Sequence, residues 1–275
     1  MIILDGKALA EEIKLQVKDK ARKLRKKPML ACIIVEGNNA SEVYVKSKQR
    51  ACEACGLRSV VVRLAGDITQ KKLENEIKKL NQDSEVSAIL LQLPLPKHLD
   101  ADKAINTILP EKDVDCLTYQ NLGKMFAGQS DFAPCTPSGI IKLLEKYNVE
   151  IAGKRAVVVG RGLLAGKSVA TLLEKKNATV TLCHSKTQNL KEETKKADIL
   201  VVAIGKSEFI TADYVKKGAV VVDVGINRDN GKLTGDVHYQ SVKKKCSMIT
   251  PVPGGVGPLT VACLMENTLM LATKK

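Results

Sequence analysis

"VVVGRGLLAGKSVATLL" (Val157–Leu173) carries two overlapping phosphate-binding patterns. Gly160-Arg161-Gly162-Leu163-Leu164-Ala165 is a G-x-G-x-x-A, the loop of a dinucleotide site, while Gly166-Lys167-Ser168 is the G-K-S that closes a nucleoside-triphosphate loop. The triphosphate loop needs about four residues between its first glycine and G-K-S. Five intervene from Gly160 and three from Gly162, so its backbone N–H groups would miss their phosphates. The dinucleotide reading has the right surroundings: the strand-like "RAVVV" precedes the loop and a helical pattern from Ala165 to Lys176 follows it. Gly160 permits the tight turn, Gly162 lets backbone approach a pyrophosphate, and the helix N-terminus favours the anion.

The next strand, "ATVTLC", bears on which dinucleotide. A site for NAD ends this strand in Asp or Glu, which holds the ribose hydroxyls and repels a 2′-phosphate. Here Cys183-His184-Ser185-Lys186 follows, without a carboxylate, and Arg161 adds a guanidinium from the glycine loop. That pattern favours NADP. A solvated Lys186 and a hydrogen-bonded His184 are the plain alternatives.

Outward from the loop, apolar β-rich runs alternate with helical patterns along the chain. "MLACIIVE", "SVVVRL" and "SAILLQL" read as buried strands separated by helical "ASEVYVKSKQRACEACG" and "ITQKKLENEIKKLN". This β-α-β-α-β order marks a parallel sheet. Leu109–Gly139, rich in Pro, Gly and polar residues, breaks the alternation and reads as a long ordered loop of functional type. A second alternation starts at "RAVVVG", and "GPLTVACLMENTLMLA" closes the chain as a helix with an apolar face. The expectation is two α/β units joined near residues 135–150.

With 44% hydrophobic residues the chain is not disordered, and no apolar run approaches membrane-spanning length. "MIILDGKALAEEI" lacks the order of a signal peptide, which gives a cytoplasmic expectation. Of eight cysteines only Cys52 and Cys55 form a C-x-x-C, mid-helix, where core packing is the expectation and no metal is. The net charge of +14 suits nucleic acid, but aromatics are 3% of the chain and the lysines are dispersed. Solvated helix faces, or a field that draws polyanionic small molecules, account for it better.

In "SEVYVKSKQRACEAC", Tyr44 and Lys48 stand at i and i+4 on one helix face, in line with Ala51, Cys52 and Cys55. Lys48 therefore either lays its stem over apolar surface and reaches solvent, or turns its ammonium to a sheltered site fit for proton transfer. "LLQLPLP" sets Gln92 at the end of a strand, where sites of α/β proteins form. "EKDVD" supplies Asp113 and Asp115. Individually, Gln92 could cap backbone and Asp115 could order a turn.

"YVKSK", "QLPLP", "KDVD", "CTPSGI", "VGRGLLAGKS" and "PVPGGVGPLT" stand in this order, and almost the whole chain so resembles methylenetetrahydrofolate dehydrogenase/methenyltetrahydrofolate cyclohydrolase. The resemblance implies two α/β domains with a cleft between them. Residues 1–138 form the folate-binding catalytic domain, on which the C-terminal helix 258–275 packs back, and 139–257 a Rossmann-type NADP-binding domain. It implies NADP-dependent oxidation of methylenetetrahydrofolate and hydrolysis of the methenyl product to formyltetrahydrofolate. It implies a cytoplasmic homodimer acting on tetrahydrofolates, polyglutamylated or not, with neither nucleic acid nor membrane as partner.

By motif, Lys48 is the catalytic lysine, Gln92 tunes it, Tyr44 stacks on the folate, Ser41 shapes the pocket and Asp115 holds the pterin. Pro253, Gly254, Gly257 and Pro258 close on the substrate. Gly160, Arg161, Gly162, Gly166, Ser185 and Ile226 hold the cofactor, Arg161 and Ser185 at its 2′-phosphate. Two departures stand out. The family usually has Ser, Val-Gly and Pro where this loop has Gly162, Ala165-Gly166 and Ser168, and usually Gly where this chain has Cys116. The other readings are a dehydrogenase without hydrolase activity and a basic anion-binding protein.

Overall fold

The computed structural model describes the backbone of residues 1–273 except residues 38, 131 and 230, and the side chains of these except residues 39–43 and 229. Its strands are β1 (Ile2–Ile3), β2 (Met29–Val35), β3 (Arg58–Leu64), β4 (Ala88–Leu91), β5 (Arg155–Val159), β6 (Thr179–Cys183), β7 (Ile199–Val202), β8 (Val220–Asp223), β9 (Asn227–Asp229), β10 (Lys232–Thr234) and β11 (Met248–Ile249). The chain forms two compact units, one of Met1–Ala10 and Pro134–Thr260, the other of Glu11–Ala133 and the residues from Val261 on.

In the second of these units a parallel sheet runs in the order β3-β2-β4. Every residue of β2 is buried, as expected of a central strand in a parallel sheet covered on both faces. Ile33 and Ile89 pack there with Leu73 and Ile77 of the helix Gln70–Gln82. The carboxyl end of that helix is closed by a buried lysine from far along the chain. Lys112 Nζ donates to the carbonyls of Leu80 (2.9 Å), Asn81 (2.7 Å) and Asp83 (2.7 Å). Carbonyls of a last helical turn lack partners within the helix, and a cation supplies both the donors and the complement to the dipole. The same segment runs beside β4, with Ile89 N–H donating to the Lys112 carbonyl at 2.7 Å.

Leu109–Gly139, expected as one long loop, contains the helix Tyr119–Phe126 and the start of Cys135–Lys146. Thr118 caps the first, its Oγ1 accepting from Asn121 N–H at 3.3 Å, and Asp113 Oδ2 accepts from Thr118 N–H (2.8 Å) and Asn121 Nδ2 (3.0 Å). Leu122 and Met125 are buried beneath it. Pro and Gly on either side hid a helix only two turns long, and Asp113 is thereby accounted for as a fold residue.

The other unit holds a parallel sheet in the order β1-β11-β8-β7-β5-β6. The chain leaves β5 outward to β6, then returns past β5 to β7, β8 and β11. Strand order thus reverses between β5 and β7, which opens a crevice outside their carboxyl ends. The sheet is Rossmann-like, with the 2-1-3-4-5 order of doubly wound sheets.

Three expectations are corrected here. The N-terminal strand does not belong with residues 11–133: Ile2 pairs with Met248 and Ile3 with Ile249. Such remote parallel pairing leaves no local pattern in the sequence. The division falls at Ala133/Pro134 rather than after residue 138, because the helix begins at Cys135 and lies wholly in the six-stranded unit. Finally, among the described residues one helix, Val256–Thr273, is long and apolar enough to cross a membrane by length and composition, though 56% of that window is buried inside the protein. Its Leu264 and Met265 are core residues, and Asn267 Nδ2 donates to the Val114 carbonyl at 3.0 Å.

Candidate active site

Lys48 lies on the helix Asn39–Ala54, and its Nζ donates to Gln92 Oε1 at 2.8 Å. Gln92 directly follows β4, where its backbone N–H continues the sheet by donating to the Ile33 carbonyl at 2.9 Å. Its amide is oriented by a second bond, Nε2 donating to the Leu93 carbonyl at 2.6 Å, so Oε1 is the atom turned to the lysine. The ammonium therefore meets a neutral acceptor at the carboxyl end of a central parallel sheet, and both side chains are half-buried. Tyr44, one turn earlier on the same helix, leaves 43% of its surface exposed. Ser41 lies outside the residues whose side chains are described.

The "KDVD" segment brings Asp115 to the turn that follows the Ile89–Asp113 bridge, half-buried. Cys116 next to it adopts φ 56°, the left-handed region that favours glycine. Its thiol is buried, donates to the Phe132 carbonyl at 3.5 Å, and is pushed above its ordinary pKa by burial, with Asp113 and Asp115 adding to the rise. Cys116 is thus a packed residue, inert as a nucleophile.

At the switch point of the other unit, Gly160 ends β5 with φ 117°. A Cβ there would stand 2.0 Å from the Ala203 carbonyl oxygen, and one on Gly166 would stand 1.9 Å from the Gly160 carbonyl oxygen. Gly160 is required by the close approach of the Ala203 backbone after β7, and Gly166 by backbone contact within the loop. Gly162 is exposed, and a Cβ on it would meet nothing within 4 Å. The helix expected from Ala165 starts instead with a wide turn, in which Lys167 N–H donates to the Gly162 carbonyl at 3.0 Å, and becomes α-helical at Ser168. Ser168 is buried, its hydroxyl donating to the Leu163 carbonyl at 2.6 Å. It is unavailable as the metal ligand that a triphosphate loop requires.

Val159 of β5 pairs with Cys183 of β6, so Arg161 and Ser185, each two residues farther on, leave the sheet from neighbouring strand ends. Both are exposed. His184 Nδ1 accepts from the Lys186 N–H at 3.2 Å, which makes the ring part of the turn.

In "PVPGGVGP" the Val252–Pro253 peptide is cis and Gly254 has φ 108°. Gly255 is buried, and a Cβ on it would meet the Pro251 carbonyl oxygen at 2.5 Å, so its smallness serves chain packing. Gly257 faces Ile226, whose side chain is 46% exposed. Pro258 sits in the first turn of the helix Val256–Thr273.

A shallow cavity of about 350 Å³, lined by Lys154, Asp198 and Lys216 among others, lies at the opposite, amino end of this sheet. It contains none of the expected site residues. Two of its three lysines are paired, Lys154 with Glu150 (2.8 Å) and Lys216 with Asp198 (2.6 Å).

A family model described as tetrahydrofolate dehydrogenase/cyclohydrolase, NAD(P)-binding domain, matches residues 134–275, and one described as the catalytic domain of the same enzymes matches residues 4–115. This chain belongs to that family. As a tetrahydrofolate dehydrogenase/cyclohydrolase it joins two reactions of one-carbon metabolism, the oxidation of methylenetetrahydrofolate and the hydrolysis of the product. It is 51% identical over 279 residues to the bifunctional protein FolD of Campylobacter hominis, with 100% of this chain and 98% of the relative covered. The crystal structure of the bifunctional enzyme FolD from Campylobacter jejuni superimposes with a TM-score of 0.98 at 46% identity, covering 100% of this chain and 99% of that one. The Trypanosoma brucei FolD complexed with NADP cofactor and inhibitor matches with a TM-score of 0.95 at 39% identity, covering 100% and 98%.

Sequence reasoning missed two buried groups in this dehydrogenase/cyclohydrolase. Lys112 stood in a quoted motif but gave no sign of its three carbonyl partners. Asp236 stood in no motif, and its carboxylate collects four donors from two segments of the six-stranded unit.

Proposed function

We propose that Lys48 is the proton-transferring residue of this enzyme and that NADP is its hydride acceptor. The observation that carries the first part is the 2.8 Å bond from Lys48 Nζ to Gln92 Oε1 at the carboxyl end of β4. Hydrolysis adds water across the cationic methenyl carbon and then breaks one of its two C–N bonds. A proton must leave the attacking water, and one must reach the departing nitrogen. Held by a neutral amide rather than an ion pair, the lysine as free amine takes the proton of the attacking water, and the ammonium so formed gives it to the departing nitrogen. Gln92 orients that lysine through its Oε1. Tyr44 offers an exposed ring on the same helix face for stacking on the flat pterin, and Asp115 offers a carboxylate to its amino and ring N–H groups. Ser41, Pro253, Gly254, Gly257 and Pro258 complete the folate contacts.

NADP, when bound, accepts the hydride from the methylene carbon. Gly160, Gly162 and Gly166 supply the loop and helix N-terminus for its pyrophosphate. Arg161 and Ser185, on neighbouring strand ends without a carboxylate between them, suit the 2′-phosphate. Ile226 offers an exposed apolar side chain to the nicotinamide side. That the trypanosomal relative is complexed with NADP supports the same choice. The assembly is a cytoplasmic homodimer, with β6 at the edge of its sheet and Leu182 exposed on it.

The test is to supply methylenetetrahydrofolate with NADP and, separately, NAD. Reduced nucleotide is expected with NADP at far lower concentration than with NAD. Formation with NAD at equal or lower concentration would contradict the cofactor assignment.

A further inference from the structure

Asp236 has no surface exposed to solvent. Its Oδ2 accepts from the backbone N–H groups of Ile204 (2.7 Å) and Gly205 (2.9 Å), and its Oδ1 from Lys206 N–H (2.9 Å) and Asn227 Nδ2 (2.9 Å). Three consecutive N–H groups aimed at one carboxylate form an anion nest, here filled by the protein itself. These N–H groups follow β7 directly. Ala203, just before them, accepts no Cβ on Gly160, and its N–H donates to the Val159 carbonyl at 2.8 Å. The nest loop is therefore the wall of the switch-point crevice against which the glycine loop turns.

The second segment bound to Asp236 carries Ile226. Asn227 is tied by its side chain, and Gly225 passes so near that a Cβ on it would stand 2.3 Å from the Asp236 carboxylate. Asp236 is itself held from β8. Asp223, the last residue of that strand, takes Asp236 N–H on Oδ1 (2.9 Å) and Val237 N–H on Oδ2 (2.9 Å). A line of buried carboxylates so runs from β8 through Asp236 to both walls of the crevice.

We infer that Asp236 is a positioning residue for the nucleotide, fixing the Ala203–Lys206 wall and the Gly225–Asn227 segment on either side of it. The inference rests on the reading that the dinucleotide binds in this crevice. The two activities separate its effect from a loss of fold, because hydrolysis of supplied methenyltetrahydrofolate consumes no nucleotide.

The experiment measures NADPH binding by fluorescence titration, the KM for NADP, and the hydrolysis rate in wild type, Asp236→Asn and Asn227→Ala. In Asp236→Asn an amide N–H₂ replaces one accepting oxygen and confronts the nest. NADPH affinity and KM for NADP are expected to worsen at least ten-fold while hydrolysis stays within two-fold. Asn227→Ala, which removes one donor and leaves the carboxylate, is expected to weaken NADPH several-fold with hydrolysis unchanged. It decides the matter where Asp236→Asn does not fold. Unchanged NADPH binding in the folded variants, or equal loss of both activities, would overturn the inference. A wild-type chain that binds no NADPH would refute the reading of the crevice itself.

Discussion

Lys48 and Gln92 meet by a single hydrogen bond of 2.8 Å that ties the helix Asn39–Ala54 to the carboxyl end of β4. Each is set by a different long-range feature: the lysine by a helix packed on the sheet, the amide by a strand whose next bond, to Leu93, fixes which atom it presents. Chemistry that depends on proton transfer within hydrogen-bond reach is sensitive to such placement.

Arg161 leaves the sheet beside Ser185, where we place the 2′-phosphate that distinguishes NADP from NAD. Arg161→Ala removes a guanidinium suited to a phosphate and leaves the glycines of the loop in place. The KM for NADP is expected to rise at least ten-fold and that for NAD by less than three-fold. Equal increases for both nucleotides would count against the assignment.

Lys112→Met keeps most of the buried stem and removes the three bonds to the Leu80, Asn81 and Asp83 carbonyls. Buried acceptors left without donors are costly, so unfolding free energy in urea is expected to fall by about 2–4 kcal/mol. A loss below about 0.5 kcal/mol would mean that other donors replace the ammonium.

Asp223 gives a pH dependence with a definite sign. Burial pushes its carboxyl up from 3.8 to about 6, against the three backbone N–H donors of Asp236, Val237 and Gly225 that favour the anion, and Asp236 adds to the rise. Between these values the folded chain holds the proton more tightly than the unfolded one. Its contribution is therefore fully present below the unfolded value and is lost as pH rises through about 6. Relative to Asp223→Asn, wild-type stability in urea should decline from pH 4 to pH 7 by at most about 3 kcal/mol. A relative rise over that range would contradict the direction.

All eight cysteines are buried thiols, none of them in a disulfide. Burial pushes Cys52 up to about 12 and Cys55 to about 11, which leaves little thiolate at neutral pH. The native protein is expected to resist an aromatic disulfide reagent for minutes and to release eight equivalents of thiol once unfolded. Fast reaction of a native thiol would show that one of them is reachable.

Local pattern made much of this legible. The buried run of β2, the turn at Gly160 and the stripe joining Tyr44 to Lys48 each follow from residues a few positions apart. What escaped depends on partners far apart in the chain. The pairing of β1 with β11, the capping of Gln70–Gln82 by Lys112, and the nest around Asp236 are all of that kind. The helix Tyr119–Phe126 escaped for another reason, because its short apolar pair, Leu122 and Met125, sits between Pro- and Gly-rich flanks. The same holds for the site: the residues alone mark Gln92 as a strand end, the resemblance sets it beside Lys48, and the fold shows that Oε1 is the atom the lysine meets.

The most direct measurement follows one sample of methylenetetrahydrofolate and NADP through both reactions, in wild type and in Lys48→Met. With wild type, methenyltetrahydrofolate is expected to rise and then fall as formyltetrahydrofolate forms. With Lys48→Met, which keeps the stem and the circular dichroism of the fold, hydrolysis is expected to drop at least a hundred-fold. A folded Lys48→Met variant that hydrolyses the methenyl compound at the wild-type rate would contradict the account.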